Sequence, residues 1–332
     1  MIHRLFTTYS HRGAVQMNNS NRIITITLNP AIDQTIILPS LQTGSVNRAE
    51  EAHHQAGGKG VNVSARLGEF GIDTTATGFL GEENQAHFTS LFSMLPIRDA
   101  FIRIPGRTRT GIKLVERNGE VTTDINLPGT QVGAQEIASL HHKLRALDLR
   151  GSWCLIGGSL PPGFGLDDFA SLIDLLKSGG ALVAVDACGD ALRMAIERKV
   201  DLIKPNQHEI AELLGREIPD LAAARTAALE VRAAGVARVI LSLGEAGALF
   251  LDPCAIAMAK APPISIASTV GAGDALLAGY LAGLSTGLDA TARAQLATTF
   301  AVCSLASLDR RLPPKAEVLS RMAKIEVTAA DS

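Results

Sequence analysis

From Thr74 onward the chain alternates short apolar runs with longer segments of helical periodicity. Strands are expected at 74–80, 153–156, 182–185, 202–203, 239–242 and 248–251, and helices at 85–95, 134–147, 166–177, 191–199, 208–214, 221–234, 274–284 and 291–308. A strand that is apolar at nearly every position needs cover on both faces. Crossover helices supply that cover, so the pattern predicts an α/β fold with a mainly parallel sheet between two helical layers. Ligands of such sheets sit beyond the C-terminal ends of the strands, which directs attention to the polar residues that follow each run.

Two regions interrupt the alternation. The run 22–28, RIITITL, reads as a buried strand stopped by Asn29-Pro30, and 36–38 and 46–52 read as short strands outside the main sheet. Residues 101–104, 106–115 and 121–127 alternate apolar with polar positions around Asn118-Gly119, which predicts an antiparallel hairpin. Segments 32–52 and 98–128 are expected to form one small β lid on a single domain spanning 21–328. Residues 1–20 contain His3, Arg4, His11 and Arg12 but no acid. Such a stretch suits a transit peptide or a translated upstream segment before a start at Met17; the upstream-start reading is preferred, so residues 1–20 are expected to be a disordered extension or an upstream-start artefact.

Chemistry concentrates in two glycine-rich helix entrances. At Gly271-Ala272-Gly273-Asp274, small residues precede an apolar helical pattern, so backbone N–H groups are left free at a helix N-terminus, where anions bind. Asp274 is read either as an acid complementing the helix dipole or as a base that takes the proton of an attacking hydroxyl. At Gly57-Gly58-Lys59-Gly60-Val61-Asn62 the stretch opens a helix over 61–70; it is either a tight turn or a ligand loop with one point charge and one amide. Lys204-Pro205-Asn206 with Glu209 follows a strand, and Asn206 and Glu209 suit either a helix cap or a Mg²⁺ water shell. Arg103, Arg107, Arg109 and Lys113 cluster in the hairpin, as a solvated face or as forks for phosphate.

Several classes are excluded. Leu276 stands where a dinucleotide fingerprint needs a small residue, and Gly58-Lys59 is followed by Gly60 rather than by Ser or Thr, so neither that fingerprint nor a Walker A loop is present. No H-E-x-x-H occurs, and the one G-x-S-x-G match, at 283–287, falls at the end of the expected helix 274–284 rather than in a strand-to-helix turn, which leaves no case for a zinc site or a hydrolase elbow. A net charge of −2 and a single Trp argue against nucleic acid, and no apolar run approaches the roughly 18 residues that span a membrane. Cys154, Cys188, Cys254 and Cys303 form no C-x-x-C pair and suit reduced, buried thiols in a cytoplasmic protein.

In order along the chain, Asn29-Pro30-Ala31-Ile32-Asp33, Ala56-Gly57-Gly58-Lys59-Gly60-Val61-Asn62, Gly158-Ser159-Leu160-Pro161, Lys204-Pro205-Asn206 with Glu209, Ser242-Leu243-Gly244 and Thr269-Val270-Gly271-Ala272-Gly273-Asp274 together resemble the ribokinase-like (PfkB) carbohydrate kinases. Gly78-Phe79-Leu80-Gly81 running to Asn84-Gln85, and Gly106-Arg107-Thr108-Arg109 before Ile112-Lys113-Leu114, look most like the bacterial 1-phosphofructokinase branch. The resemblance spans roughly residues 22–325 and implies a three-layer αβα sandwich with a small β-sheet lid, which often supplies a homodimer contact.

By the same resemblance Asp274 is the catalytic base, with Gly271, Ala272 and Gly273 offering backbone donors to the transferring phosphoryl group. Asp33, Gly57, Gly58, Lys59, Asn62 and Ser159 hold the sugar, and Arg109 its existing phosphate. Lys204, Ser242, Gly244 and Thr269, with Gly271 and Gly273, belong to the nucleotide, and Asn206 and Glu209 to Mg²⁺ through water. The implied reaction is ATP-dependent phosphorylation of D-fructose 1-phosphate. Alternatives are a tagatose-6-phosphate kinase or 6-phosphofructokinase of the same family, or a non-catalytic sugar-phosphate or nucleotide sensor, which would have no use for a base. Gly157 and Thr110-Gly111 depart from the Ser and Asn common in relatives.

Overall fold

The computed structural model describes residues 22–117, 121–265, 270–307 and 311–330. The expected N-terminal extension, the Asn118-Gly119 turn and Thr269 lie outside the described residues. Strands β1 (Ile23–Thr27), β4 (Thr74–Gly81), β5 (Ile97–Asp99), β9 (Trp153–Gly157), β10 (Leu182–Asp186), β11 (Leu202–Ile203) and β12 (Arg238–Ser242) run parallel in the order β12-β11-β10-β9-β1-β4-β5. Beyond β12 the sheet continues antiparallel through β13 (Ala248–Asp252), β14 (Ala255–Lys260) and β15 (Glu326–Ala329).

The apolar strands divide by residue parity. Ile24, Ile26, Cys154, Ile156, Val183, Val185, Val239 and Leu241 face one core. It is closed by helices α3 (Ala134–Arg145), α4 (Leu166–Ser178), α5 (Gly189–Glu197), α6 (Gln207–Leu214) and α7 (Leu221–Ala233). Their neighbours Ile23, Trp153, Leu155, Ala184, Leu202 and Ile240 face the other, closed by α1 (Lys59–Glu69), α8 (Ala272–Ser285), α9 (Ala290–Leu305) and α10 (Lys315–Met322). Both faces are thus covered, which is why the strands lack a polar face. The remaining helix, α2 (Ala86–Met94), packs Phe88 and Phe92 with Leu80, Ile97 and Phe101 at the β5 edge.

A second sheet orders as β3 (Glu51–Gly57), β2 (Ala31–Leu38), β7 (Arg109–Glu116) and β8 (Thr122–Asn126). Strand β7 pairs antiparallel with β8, as expected, and parallel with β2. The expected second lid segment divides, because Ile97–Asp99 and β6 (Ile102–Ile104) pair with β4 of the large sheet and only residues from Arg109 onward join the small one. Strand β3 is shifted from the expected 46–52, and Val46 is 86% exposed. Its sequence EAHHQAG carries no apolar alternation; its place is set by the ladder with β2, from Ala31 opposite Gly57 to Ile37 opposite Glu51. Strands β14 and β15 and helix α10 were not foreseen either, being short or rich in alanine. Of the four cysteines, Cys154 and Cys303 are buried as expected, whereas Cys188 and Cys254 are exposed. No helix among the described residues is long and apolar enough to cross a membrane.

Candidate active site

Two helix N-termini converge at the C-terminal edge of the large sheet. Helix α1 starts at Lys59 after Gly58, whose φ of 108° favours glycine and whose missing Cβ leaves room for Thr27 and Pro30. Helix α8 starts at Ala272 after Gly271, in the left-handed region at φ 81°. The first turn of α1 contains no acid and that of α8 contains Asp274. Asn62, one turn into α1, donates from Nδ2 to Asp274 Oδ2 at 2.7 Å, which fixes one helix start against the other.

Asp186, at the end of β10, lies at the centre of this cluster, and sequence reasoning assigned it no role. It is 1% exposed; Lys59 Nζ donates to its Oδ1 at 2.7 Å, and Lys204 Nζ stands 3.3 Å from its Oδ2. The available signal was its position, an acid closing the run LVAVD where ligands of parallel sheets sit. The same Lys204 ammonium lies 3.3 Å from where a Cβ on Gly273 would be, so it hangs over the first turn of α8. Asp186, Asp274, Lys59 and Lys204 therefore form one compact group of two negative and two positive charges.

Each charge alters the others. Burial raises the Asp274 pKa, the negative Asp186 raises it further, and Lys59, the Asn62 hydrogen bond and Lys204 only partly offset them. Burial would raise Asp186 too, but Lys204 and Lys59 outweigh it and hold that carboxyl below its ordinary range. Burial works against the Lys59 ammonium, yet Asp186 above all, with Asp274 and Glu209, keeps its pKa above the usual lysine value. A carboxyl with an elevated pKa beside free helix N–H groups and two ammonium groups can accept a proton while phosphate oxygens are neutralised next to it.

The other expected residues fall in two flanking places. Asp33 on β2 is 7% exposed and abuts Gly57, where an added Cβ would stand 2.7 Å from its Cγ, and Lys113 Nζ lies 3.5 Å from its Oδ2. Arg109, at the start of β7, donates from Nε to Asn29 Oδ1 at 3.1 Å and from Nη2 to the Asn29 carbonyl at 3.3 Å. Burial lowers its pKa, against the pull of Asp33. Asn29 Nδ2 in turn donates to Ser159 Oγ at 3.1 Å. The expected cationic cluster is dispersed: Arg103 pairs with Asp99 and Gln85, and Arg107 with Glu83. Arg109 and Lys113 alone of the four reach Asn29 and Asp33.

On the opposite flank, the Lys204 loop and the end of β12 are joined by a bridge between Asn206 and Ser242, and the Ser242 N–H donates to the Pro205 carbonyl at 3.1 Å. Gly244, at φ 60°, opens a short 3₁₀ turn with empty space above its Cα. Asn206 and Glu209 make a reciprocal capping box on α6: Glu209 N–H donates to Asn206 Oδ1 at 2.8 Å, and Asn206 N–H to Glu209 Oε2 at 2.9 Å. The cap uses one Glu209 oxygen. Among the described residues no group of three or more His, Cys, Asp or Glu could by itself hold a metal ion.

The model of the pfkB family carbohydrate kinases matches residues 26–315. A 1-phosphofructokinase of Rhodobacter capsulatus is 40% identical over 294 residues, covering 88% of this chain and 93% of its own length. One from Xanthomonas campestris pv. campestris is 41% identical over 304 residues, covering 89% and 95%. Among solved structures, phosphofructokinase-2 from Escherichia coli in complex with substrates and products superposes with a TM-score of 0.85 at 27% identity, covering 91% of this chain and 98% of that one. The paired helix entrances, the lysine-bridged Asp186 and the buried Asp274 are thus set in a ribokinase-like framework, and the chain belongs to the pfkB family of carbohydrate kinases.

Proposed function

We propose that this kinase transfers the terminal phosphoryl group of ATP to the free primary hydroxyl of D-fructose 1-phosphate, giving fructose 1,6-bisphosphate and ADP. The observation that carries the reading is Asp274, buried in the first turn of α8, held by Asn62 and raised in pKa beside two lysines. Asp274 takes the hydroxyl proton as the oxygen attacks the γ-phosphorus, and the bond to the β-phosphate oxygen breaks. The N–H groups at the start of α8 and the Lys204 and Lys59 ammonium groups stabilise the charge on the phosphoryl oxygens.

Asp33, Gly57, Gly58, Asn62 and Ser159 orient the sugar, and Arg109 holds its existing phosphate. Ser242, Gly244 and Thr269 take the nucleotide side with Lys204. The Glu209 oxygen left outside the cap, with Asn206 beside it, would hold a hydrated Mg²⁺ through water. When bound, Mg²⁺ neutralises the β- and γ-phosphates. The small sheet closes as a lid that excludes water. Its outer surface, with Ile125 45% and Leu127 44% exposed, is proposed as a homodimer contact. Sedimentation of the purified protein tests this last point, and a monomer at micromolar concentration would remove it.

A second reading, a 6-phosphate ketose as acceptor, is favoured by one observation: phosphofructokinase-2 from Escherichia coli in complex with fructose-6-phosphate superposes with a TM-score of 0.83 at 27% identity. A coupled ADP-release assay with fructose 1-phosphate, fructose 6-phosphate and tagatose 6-phosphate separates the two. The expected result is a kcat/KM for fructose 1-phosphate at least about tenfold above the others, a difference of about 1.4 kcal/mol in transition-state binding. Turnover confined to a 6-phosphate would reassign the acceptor. No turnover with any of the three, with ATP still bound, would point to a sensor.

A further inference from the structure

We infer that Asn29 is a positioning residue that aims Arg109 at the phosphate already on the sugar and holds it through neutral hydrogen-bond acceptors, leaving its charge for that phosphate. The inference rests on the phosphosugar reading above and adds a residue to which that reading gives no role. Asn29 occupies the turn where the chain leaves β1 of the large sheet for β2 of the small one, and it is 9% exposed. Its carboxamide spans the two bodies. Oδ1 accepts from Arg109 Nε on β7, and Nδ2 donates to Ser159 Oγ in the loop after β9. Its backbone carbonyl accepts from Arg109 Nη2 at 3.3 Å, and Leu127 O accepts from Nη1 at 3.5 Å.

Every one of these Arg109 partners is a neutral oxygen. Each neighbouring cation has a carboxylate instead: Lys113 has Asp33 and Asp124, Arg103 has Asp99, and Arg107 has Glu83. A half-buried guanidinium hydrogen-bonded to neutral oxygens, with Asp33 acting on it only through space, keeps more of its charge available to an incoming anion than one paired directly with a carboxylate in Asn29's place. An amide is the side chain that can orient Arg109 without neutralising it and still donate to Ser159. Gly129 packs directly on this amide, since a Cβ there would stand 2.1 Å from Asn29 Oδ1. The orientation is therefore locked from a third side.

The test is Asn29→Asp, which keeps the acceptor for Arg109, lets Ser159 donate in return, and changes essentially the charge. With the full-length protein, KM for the phosphosugar should rise about 10²-fold or more, with kcat within a few-fold, the KM for ATP unchanged and thermal stability retained. Inhibition by inorganic phosphate competing with the sugar should weaken in parallel. Asn29→Ala, which frees Arg109 without cancelling it, should raise the same KM by about tenfold. An unchanged phosphosugar KM in Asn29→Asp, or equal losses in kcat, ATP KM and stability in both variants, would overturn the inference. Failure of the kinase reading would appear separately, as a wild-type protein that turns over none of the phosphosugars. Direct titration of wild type and Asn29→Asp with fructose 1-phosphate would then still decide Asn29, because equal affinities would refute its role and a loss in the variant would support it.

Discussion

Asp274 is poised between two oppositely signed neighbourhoods, and its chemistry follows from which dominates. Burial and Asp186 favour the neutral acid, while Lys59, Asn62 and Lys204 favour the anion, and the first pair prevails. Its base form therefore appears at higher pH than for an exposed aspartate, and activity should fall on the acid side along a limb above the ordinary carboxylate range. Asp274→Asn should lower kcat by about 10²–10⁴-fold while ATP still binds; near-normal turnover would remove the base assignment. Asp186→Asn takes away a negative charge that raises Asp274, so the acid limb of the pH–rate profile should move to lower pH. Arg109→Ala should act on the KM for the phosphosugar, with kcat largely kept, and an unchanged KM would exclude Arg109 from the acceptor site.

At the scale of elements, the site depends on how closely α8 approaches its neighbours. Gly279 on α8 has no room for a side chain: a Cβ would lie 2.7 Å from Ala297 Cα and 2.8 Å from the Leu296 carbonyl of α9. Backbone cannot give way as a flexible side chain would, so Gly279→Val should cost about 1–3 kcal/mol or more in denaturant unfolding and also lower kcat, since α8 carries Asp274 in its first turn. Activity unchanged despite lost stability would show that the start of α8 is positioned independently of its packing. The two glycine-rich entrances were legible as helix starts because small residues preceded apolar periodicity. That they meet was not, since Asn62 and Asp274 are 212 positions apart and only the packing of α1 beside α8 joins them.

Across the whole molecule, the charge cluster links stability to pH with two signs. The folded pKa of Asp186 is depressed, so its stabilisation is present above the unfolded value of about 3.9 and is lost as pH falls through the folded value. The folded pKa of Asp274 is raised, so its contribution is present below about 3.9 and is lost as pH rises through the folded value. At neutral pH the ionised Asp274 is thus a net cost to folding. Asp274→Asn should raise the melting temperature there by roughly 1–2 °C for each kcal/mol recovered, a gain that vanishes near pH 4. Asp186→Asn should instead destabilise by about 3–5 kcal/mol at neutral pH, because Lys204, with a side chain 7% exposed, loses its carboxylate. Melting curves for both variants at pH 4 and pH 7 check the signs.

The local order of apolar runs and amphipathic segments determined the large sheet, its two helical layers and the strand ends at which to look for chemistry, because burial on both faces writes itself into consecutive residues. It also marked Asp274, Lys59, Lys204 and Arg109, whose neighbours in sequence are the glycines and turns that expose them. Tertiary structure decided the rest. The polar strand β3 is fixed by its ladder with β2, and 97–104 belong to the large sheet because β4 offers them an open edge. Asp186 acquires its role only when Lys59 and Lys204 arrive from positions 127 residues before it and 18 after it, and Asn29 only when β7 and the loop after β9 close around it. Such pairings are set by long-range packing and electrostatics, which leave no periodic trace in the chain.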